Sequence, residues 1–188
     1  MLVDPPPRLA QHPRVVVYGV TGSGKSVLAQ RLARLARSTH VSVDDLMWRP
    51  GWVQLTAPEQ VEAITPAASG EAWVMDSLWS ATRAVVLPRT DLVVALDYRR
   101  SVSLARLVRR TAARLVTRDP ICGGNTESWR QTFSGDSILA WHVRSFASKR
   151  ATIAAWCADP AGPAVVRFTS PRQVEAWVRR LAAADGAT

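Results

Sequence analysis

Short apolar runs alternate along the chain with longer segments whose apolar residues recur every three or four positions. The apolar runs are rich in β-branched residues and predict strands at 15–18, 41–43, 72–76, 91–97 and 164–168. The longer segments predict helices that begin near residues 27, 56, 99, 137 and 170, the second of them broken near Pro66. Strands separated by helices are typical of a parallel sheet with right-handed crossovers. We therefore expect an α/β fold of three layers, with a parallel sheet of about five strands and helices on both faces.

A glycine-rich segment, Gly19–Ser26, joins the first predicted strand to the first predicted helix. It matches the phosphate-loop pattern of Gly, four residues, Gly-Lys-Ser in the strand–loop–helix context that the motif requires. Backbone N–H groups of such a loop converge on a polyphosphate, and the helix N-terminus adds a partial positive charge. We expect Lys25 to reach the β- and γ-phosphates of a nucleoside triphosphate and Ser26 to hold Mg²⁺. The residues predicted to bind the nucleotide here are Gly19, Thr21, Gly22, Ser23, Gly24, Lys25, Ser26 and Val27.

The choice of cation supports nucleotide binding. The chain contains two lysines, Lys25 and Lys149, and uses arginine for every other basic side chain apart from histidine. A guanidinium is bulkier and forked, so it cannot replace a compact ammonium inside the loop. The alternative is a glycine-rich turn between a core strand and a helix, which gives no reason for a lysine at this position.

Three of the predicted strands lead into carboxylates. Asp44 and Asp45 follow the second strand, and Asp76 and Asp97 end the next two. Because the carboxyl ends of parallel strands meet at the edge where such sheets bind ligands, we expect a shared Mg²⁺ and substrate site. Asp44 is predicted to orient the hydroxyl of a phosphate acceptor. Asp44 or Asp45 could instead hold a magnesium-bound water or cap the next turn.

Two tryptophans flank a predicted Pro-Gly turn directly after these aspartates. Trp48 and Trp52 could stack a nucleobase, or they could pack the loop onto the core. Aromatic residues in such loops are more often packing residues, so the sequence leaves both functions open.

The net charge of +9 is concentrated in one part of the chain. Seven arginines lie within one stretch of twenty residues: Arg99, Arg100, Arg106, Arg109, Arg110, Arg114 and Arg118. Such a cluster suits a polyphosphate site as well as a nucleic-acid backbone. Two main hypotheses follow: a phosphotransferase that acts on a small acceptor, or a regulatory nucleotide-binding NTPase associated with nucleic acid. The second has no helix-turn-helix, zinc-finger or RNA-binding aromatic pattern to support it, and a hydrolase or degenerate version of the fold is a third alternative.

The length of 188 residues suits one well-packed domain. Residues 1–13 contain three consecutive prolines, and we expect a disordered lead-in that is neither a signal peptide nor an anchor. No apolar run approaches the roughly 18 residues that span a bilayer, so we expect a cytoplasmic protein with no membrane partner. The predicted domain covers 14–182, with a lid at about 112–135, and 183–188 form a tail. The oligomeric state is left open.

Several motifs together resemble P-loop kinases of the nucleoside-monophosphate-kinase type, and more narrowly the small adenylate-kinase-related DNA topology modulation proteins. The resemblance covers about residues 14–182 and includes the phosphate loop and Asp44 four residues before Trp48. The other motifs are Pro-Gly-Trp at 50–52, Trp-Val-Met-Asp at 73–76, Leu-Asp-Tyr-Arg-Arg at 96–100 and Gly-Asn-Thr-Glu-Ser-Trp at 124–129. The resemblance implies a three-layer P-loop NTPase fold, ATP and Mg²⁺ as cofactors, and transfer of the γ-phosphoryl group to a nucleotide or a hydroxyl metabolite.

The same resemblance implies roles for individual residues. Lys25 and Ser26 are implied to bind ATP·Mg, and Asp76 is implied to lie near the metal. Arginines of the helix before the lid and of the lid itself are implied to contact ATP or the transferring phosphoryl group: Arg106, Arg110, Arg114 and Arg118. Family members often have Gly-Asn-Tyr where this chain has Ser-Leu-Trp at 77–79, so AMP is not assumed as the acceptor.

Overall fold

A parallel sheet of five strands forms the centre of the computed structural model. The structure describes residues 1–117, 125 and 138–185, without the side chains of 114–117 and 185. The strands of the sheet are β1 (Arg14–Gly19), β2 (Thr39–Val41), β5 (Trp73–Met75), β6 (Leu92–Leu96) and β7 (Ala164–Phe168). They are arranged in the order β2-β5-β1-β6-β7, so β1 lies in the middle. A separate antiparallel hairpin consists of β3 (Trp48–Arg49) and β4 (Val53–Gln54).

Helices cover both faces of this sheet. They are α1 (Lys25–Leu35), α2 (Val43–Met47), α3 (Ala57–Ala68), α4 (Arg83–Val86), α5 (Arg100–Thr117), α6 (Ile138–Ala158) and α7 (Pro171–Asp185), with 3₁₀ turns at Ser80–Thr82 and Leu87–Arg89. Helices α1 and α7 bury residues in the core on one face, and α2, α3, α4 and α6 bury residues in the core on the other. The predicted three-layer α/β fold is therefore confirmed.

Strand β1 shows why the central runs are apolar at every position. Its side chains alternate between the two faces, with Val15 and Val17 in one core and Val16 and Tyr18 in the other. All four are at most 1% exposed. Each such burial stabilises the fold by about 1.5–3 kcal/mol relative to an exposed side chain. Because helices cover both faces of the sheet, neither face of β1 carries polar side chains.

The end of β2 differs from the prediction. The strand stops at Val41, and Asp44 and Asp45 lie in the first turn of α2 instead of extending the strand. The backbone N–H of Val43 donates to the Asp76 carboxylate at 2.9 Å. Val43 is the first residue of α2, and its N–H has no partner within the helix, so the Asp76 carboxylate caps the start of α2.

Two local features between β2 and β5 were not foreseen. Helix α3 is not broken at Pro66 but continues through it to Ala68. Pro66 lies in the last turn, so its missing N–H removes a single intrahelical bond. The β3–β4 hairpin has only two residues in each strand, too few for an alternating pattern to be visible in the sequence.

The N-terminal residues 1–13 are ordered against the domain, which corrects the prediction of a disordered lead-in. The backbone of Val3 donates to Val165 of β7 at 2.9 Å, so this segment covers the edge of the sheet. Farther along, Pro6 accepts a hydrogen bond at 2.9 Å from the indole N–H of Trp177, and Leu9 is buried in the core. The segment is held because its backbone pairs with an edge strand that would otherwise be open and because Leu9 is buried.

The predicted lid and tail are described only in part. Residues 112–117 continue α5 and residues 183–185 continue α7, so both segments begin as helix. Apart from residue 125, the rest of the predicted lid lies outside the described residues, as do 186–188. Within the described part of the chain, no helix combines the length and the apolar character that a membrane crossing requires.

Candidate active site

The phosphate loop 19–26 curls between the end of β1 and the first turn of α1. Gly22 and Gly24 adopt positive φ angles of 82° and 93°, a conformation that residues with a Cβ rarely adopt. A Cβ on Gly22 would lie 2.4 Å from the carbonyl oxygen of Ser103 and 2.8 Å from the Cβ of Leu107. Helix α5 therefore packs directly on the loop, and only glycine fits at position 22.

Two side chains of the loop turn inward. Ser23 Oγ and Lys25 Nζ both donate to the carbonyl oxygen of Val20, at 2.8 and 3.1 Å. Burial lowers the pKa of Lys25 to about 8, although the charges of Asp44 and Asp76 act in the opposite direction. The first turn of α1 contains no acidic residue. An ammonium group and the N–H groups of a helix N-terminus are thus presented together, as a polyphosphate site requires.

Two carboxylates approach the loop, Asp76 from the end of β5 and Asp44 from the first turn of α2. Asp76 is 3% exposed and accepts the hydrogen bond from Val43 described above. Burial raises the pKa of Asp76, and a hydrogen bond from Ser26 opposes the rise. Asp44 accepts a hydrogen bond on Oδ1 from the indole N–H of Trp79 at 2.9 Å. Each carboxylate is therefore held in place by a partner that lies far away in the sequence.

The Ser26 hydroxyl and the Asp76 carboxylate fit Mg²⁺. This ion binds proteins through few oxygen ligands and takes the others from water and substrate phosphates. Among the described residues, no three His, Cys, Asp or Glu side chains form a group that could hold a metal by itself. A magnesium ion here would therefore bind together with the nucleotide.

The arginines of α5 face the same site in part. Arg106 donates from Nη1 to the carbonyl oxygen of Ser23 at 3.3 Å, and its guanidinium lies 6.0 Å from the centre of the Tyr98 ring. Arg110 also lines the cleft. Arg118 and the side chain of Arg114 lie outside the described residues, so their predicted contacts with phosphate stay predictions.

Asp97 does not belong to this site, which corrects the prediction of a third carboxylate. Its Oδ1 accepts from Arg150 Nε at 2.8 Å, and its Oδ2 accepts from Arg167 Nε at 2.9 Å. The side chain is 2% exposed. It therefore ties β6 to β7 and α6, on the side of the strand away from the phosphate loop.

Three tryptophans form the wall of the cleft near Asp44. The Trp48 ring centre lies 5.7 Å from that of Trp52 and 6.0 Å from that of Trp79, in edge-to-face arrangements. The side chain of Asn125 accepts from the Trp52 backbone N–H at 2.9 Å and donates to the carbonyl oxygen of Arg49 at 3.0 Å. The tryptophans pack against each other and also line the cleft, so stacking on a nucleobase stays a prediction.

One cleft of about 1470 Å³ collects these groups. It is lined by every residue of the phosphate loop that was predicted to bind nucleotide, and by Asp44, Asp76, Arg106 and Arg110. It is also lined by Tyr18, Arg83 and Lys149, to which the sequence analysis assigned no function. The sequence signal for Lys149 was its rarity, as one of two lysines. Nothing comparable marked Arg83 or Tyr18.

Comparison with known proteins supports the fold but identifies no family. No protein-family model matches the chain, and no curated protein matches its sequence. Among solved structures, shikimate kinase from Acinetobacter baumannii is 13% identical, with a TM-score of 0.59 over 95% of this chain and 96% of that one. Shikimate kinase from Bacteroides thetaiotaomicron is 16% identical, with a TM-score of 0.54 over 92% of this chain and 98% of that one.

A sugar kinase from a Janibacter species is 18% identical, with a TM-score of 0.50 over 89% of this chain and 90% of that one. Identities this low show the fold alone. The chain shares the three-layer α/β fold of these neighbours, and the expected architecture is confirmed at that level. The finer resemblance to adenylate-kinase-related proteins receives no support from these neighbours.

Proposed function

We propose that this protein is an ATP-dependent phosphotransferase that transfers the γ-phosphoryl group of ATP·Mg to a small acceptor, a nucleotide or a hydroxyl metabolite. The observation that carries the proposal is the convergence of Lys25, Ser26 and Asp76 with Asp44 in a single cleft. A phosphate loop alone would serve any NTPase. A second carboxylate in the same cleft, Asp44 beside Trp79, provides a place for a second substrate.

Each of these residues has a separate role in the proposed phosphoryl transfer. Lys25 and the N–H groups of the phosphate loop bind the β- and γ-phosphates, while Arg106 and Arg110 neutralise charge from α5. Ser26 and Asp76 would hold Mg²⁺, which when bound reduces the negative charge that an incoming nucleophile meets. Asp44 accepts a hydrogen bond from the acceptor hydroxyl and orients its oxygen toward the γ-phosphorus. Catalysis then consists of positioning and charge neutralisation.

The finer assignments belong to the same proposal. Arg114 and Arg118 would join the site as lid residues, and a cytoplasmic location would supply ATP and Mg²⁺. The resemblance to DNA topology modulation proteins rests on sequence motifs, whereas the structural neighbours are named as shikimate and sugar kinases. We therefore leave the acceptor open between a nucleotide and another hydroxyl metabolite.

The alternative of a regulatory module on nucleic acid is weakened by where the arginines lie. Arg106, Arg109 and Arg110 line the cleft, so part of the basic stretch serves a polyphosphate site instead of an outer surface. Duplex binding through several phosphates would weaken steeply with salt, with a log–log slope of about −0.9 per contact. Absence of binding to a DNA duplex at about 50 mM salt would eliminate this alternative.

The proposed function is tested by ADP release from ATP·Mg, alone and with a panel of nucleoside monophosphates and small hydroxyl metabolites. At least one compound should raise turnover about 100-fold or more over water. The Lys25→Met variant should lose this turnover while it keeps the circular dichroism spectrum of the native protein. Arg34→Met provides a matched control because Arg34 is exposed on α1 and does not line the cleft. Undiminished turnover in Lys25→Met would refute the assignment.

A further inference from the structure

Lys149 and Arg83 bring two positive charges into the cleft, in addition to the charge of Lys25 in the phosphate loop. Both approach the side chain of Tyr18. Lys149 Nζ lies 4.6 Å from the centre of the Tyr18 ring, and Arg83 Nη2 donates to the Tyr18 hydroxyl at 3.3 Å. Helix α6 provides the lysine and α4 provides the arginine. Two elements distant in sequence thus bring their cations to one phenol ring.

Neither cation forms an ion pair with a carboxylate among the described residues. Arg83 Nε is buried and has no hydrogen-bond partner, although the guanidinium lies 5.7 Å from the centre of the Trp156 ring. Burial and then the charge of Arg83 lower the pKa of Lys149 to about 8, although the charge of Asp44 acts in the opposite direction. The protein therefore keeps two repelling, partly desolvated cations beside one ring, an arrangement that a bound anion would stabilise.

The position of the pair determines which anion could bind there. Tyr18 directly precedes Gly19, the first residue of the phosphate loop, and its side chain lies on the sheet face that α2, α3, α4 and α6 cover. That face also carries Asp44 and the tryptophan wall, whereas α1 and Arg106 serve the nucleotide from the loop. The two cations are thus on the side of the cleft where the acceptor would enter.

We propose that Lys149 and Arg83 bind an anionic group of the acceptor, a carboxylate or a phosphate, and so hold its hydroxyl between Asp44 and the phosphate loop. This inference rests on the proposed phosphotransferase function. It narrows the acceptor to small hydroxyl compounds that carry an anion, and it excludes neutral sugars and free nucleosides as preferred substrates. Lys149 is then a binding residue, and its loss should affect the acceptor and not ATP.

Pairs of compounds that differ mainly in an anionic group provide the first test: gluconate with glucose, glycerate with glycerol, and AMP with adenosine. ADP release should rise only with an anionic member, and the pair that responds distinguishes a carboxylate from a phosphate. In Lys149→Met the KM for that acceptor should rise about 10- to 100-fold, the value of one charge-assisted contact. The KM for ATP should stay within about twofold.

Two variants serve as controls for this test. Lys149→Arg keeps the charge and should recover most of the affinity for the acceptor. Arg34→Met removes one charge outside the cleft and should leave both KM values unchanged. A neutral member that matches its anionic partner, or equal rises of both KM values in Lys149→Met, would overturn the inference.

Anion binding without turnover separates this inference from the proposed function. Inorganic phosphate is titrated against Lys25→Met, which lacks the ammonium of the loop, and thermal stability is recorded. Phosphate should still raise the melting temperature of Lys25→Met, and the added Lys149→Met substitution should abolish that rise. Such a result with no phosphorylated product from any compound would leave the anion site standing and refute the kinase. No stabilisation of Lys25→Met, or an undiminished rise in the double variant, would refute the anion site whatever the activity.

Discussion

The buried carboxylate of Asp76 accepts a hydrogen bond from the backbone N–H of Val43 at 2.9 Å. This contact joins the end of β5 to the start of α2 and ends the pairing of β2. It also places Asp44, the next residue, opposite the phosphate loop. The proposed function thus gives one aspartate two functions, because Asp76 would hold Mg²⁺ together with Ser26 and also positions the residue that would orient the acceptor.

The two functions of Asp76 can be separated by substitution. Asp76→Asn keeps an oxygen for Val43 but removes the negative charge, so kcat/KM should fall at least about 100-fold with little change in stability. Asp76→Ala also leaves the N–H of Val43 buried and unsatisfied, so it should lower the free energy of unfolding by a further about 1–3 kcal/mol. Steady-state kinetics and urea denaturation measure the two effects. Equal stability of the alanine and asparagine variants would show that the Val43 contact does not hold α2.

Asp97 should behave in the opposite way, although it too follows an apolar strand. Asp97→Asn removes the charge that Arg150 and Arg167 share, so the free energy of unfolding should fall by about 1–3 kcal/mol. Both arginines are partly exposed, which keeps the loss below that of a fully buried pair. The KM for ATP should not change, because Asp97 does not line the cleft. A loss of activity without a loss of stability would contradict this assignment.

Gly22 and Gly51 form a matched pair for testing the fit of α5 on the phosphate loop. Both have positive φ, 82° and 81°, so an alanine costs about 1–2 kcal/mol at either position. At Gly51 no atom lies within 4 Å of the added Cβ, whereas at Gly22 the carbonyl of Ser103 lies at 2.4 Å. Gly22→Ala should therefore cost about 1–3 kcal/mol more than Gly51→Ala. Chemical denaturation measures the difference, and equal costs would mean that α5 moves aside freely.

ATP binding should weaken above the pKa of Lys25, which is about 8. Bound phosphate favours the ammonium form, so kcat/KM for ATP should be level below that pH and fall about tenfold per unit above it. The measurement is best made on Lys149→Arg, because Lys149 also has a pKa of about 8 and its arginine replacement stays charged. A profile that is level to pH 10 would show that Lys25 is not the titrating group.

The same lowered pKa predicts that the free energy of unfolding rises with pH in the range where ATP binding weakens. Between about pH 8 and the ordinary lysine value of 10.5, the unfolded chain binds a proton at position 25 that the folded protein lacks. The contribution of Lys25 to the free energy of unfolding should therefore increase with pH across that window. In the Lys149→Arg background, which removes the second lysine that titrates near pH 8, Lys25→Met should remove this rise, and urea titrations at several pH values can follow it.

The elements were predictable because their causes are local. β-Branched runs buried on both faces appear in the sequence as uninterrupted apolar stretches, and four of the five strands of the sheet were found within one residue of their bounds. The partly exposed β2 was predicted two residues too late. The phosphate loop was likewise predictable from local causes. Its glycines allow the backbone to curl, and its lysine follows them at a set spacing. The β3–β4 hairpin was missed because two residues per strand leave no periodicity.

Asp76 and Asp97 show where local patterns fail. Each is an aspartate directly after an apolar strand, and the sequence predicted the same site for both. The structure gives Asp97 two arginines from α6 and β7 and gives Asp76 a backbone N–H and Ser26. Whether a carboxylate becomes a structural ion pair or a candidate ligand depends on charges more than thirty residues away.

The sequence alone thus determined the α/β class, the order of the elements and the phosphate loop, because backbone geometry and periodic burial act over a few neighbouring residues. Only the tertiary structure decided which charges meet. It sent Asp97 away from the cleft, held residues 1–13 on the edge of β7 and brought Lys149 to Arg83 across Tyr18. The physical reason is that electrostatic interactions depend on distances in space, which chain folding sets and residue spacing does not.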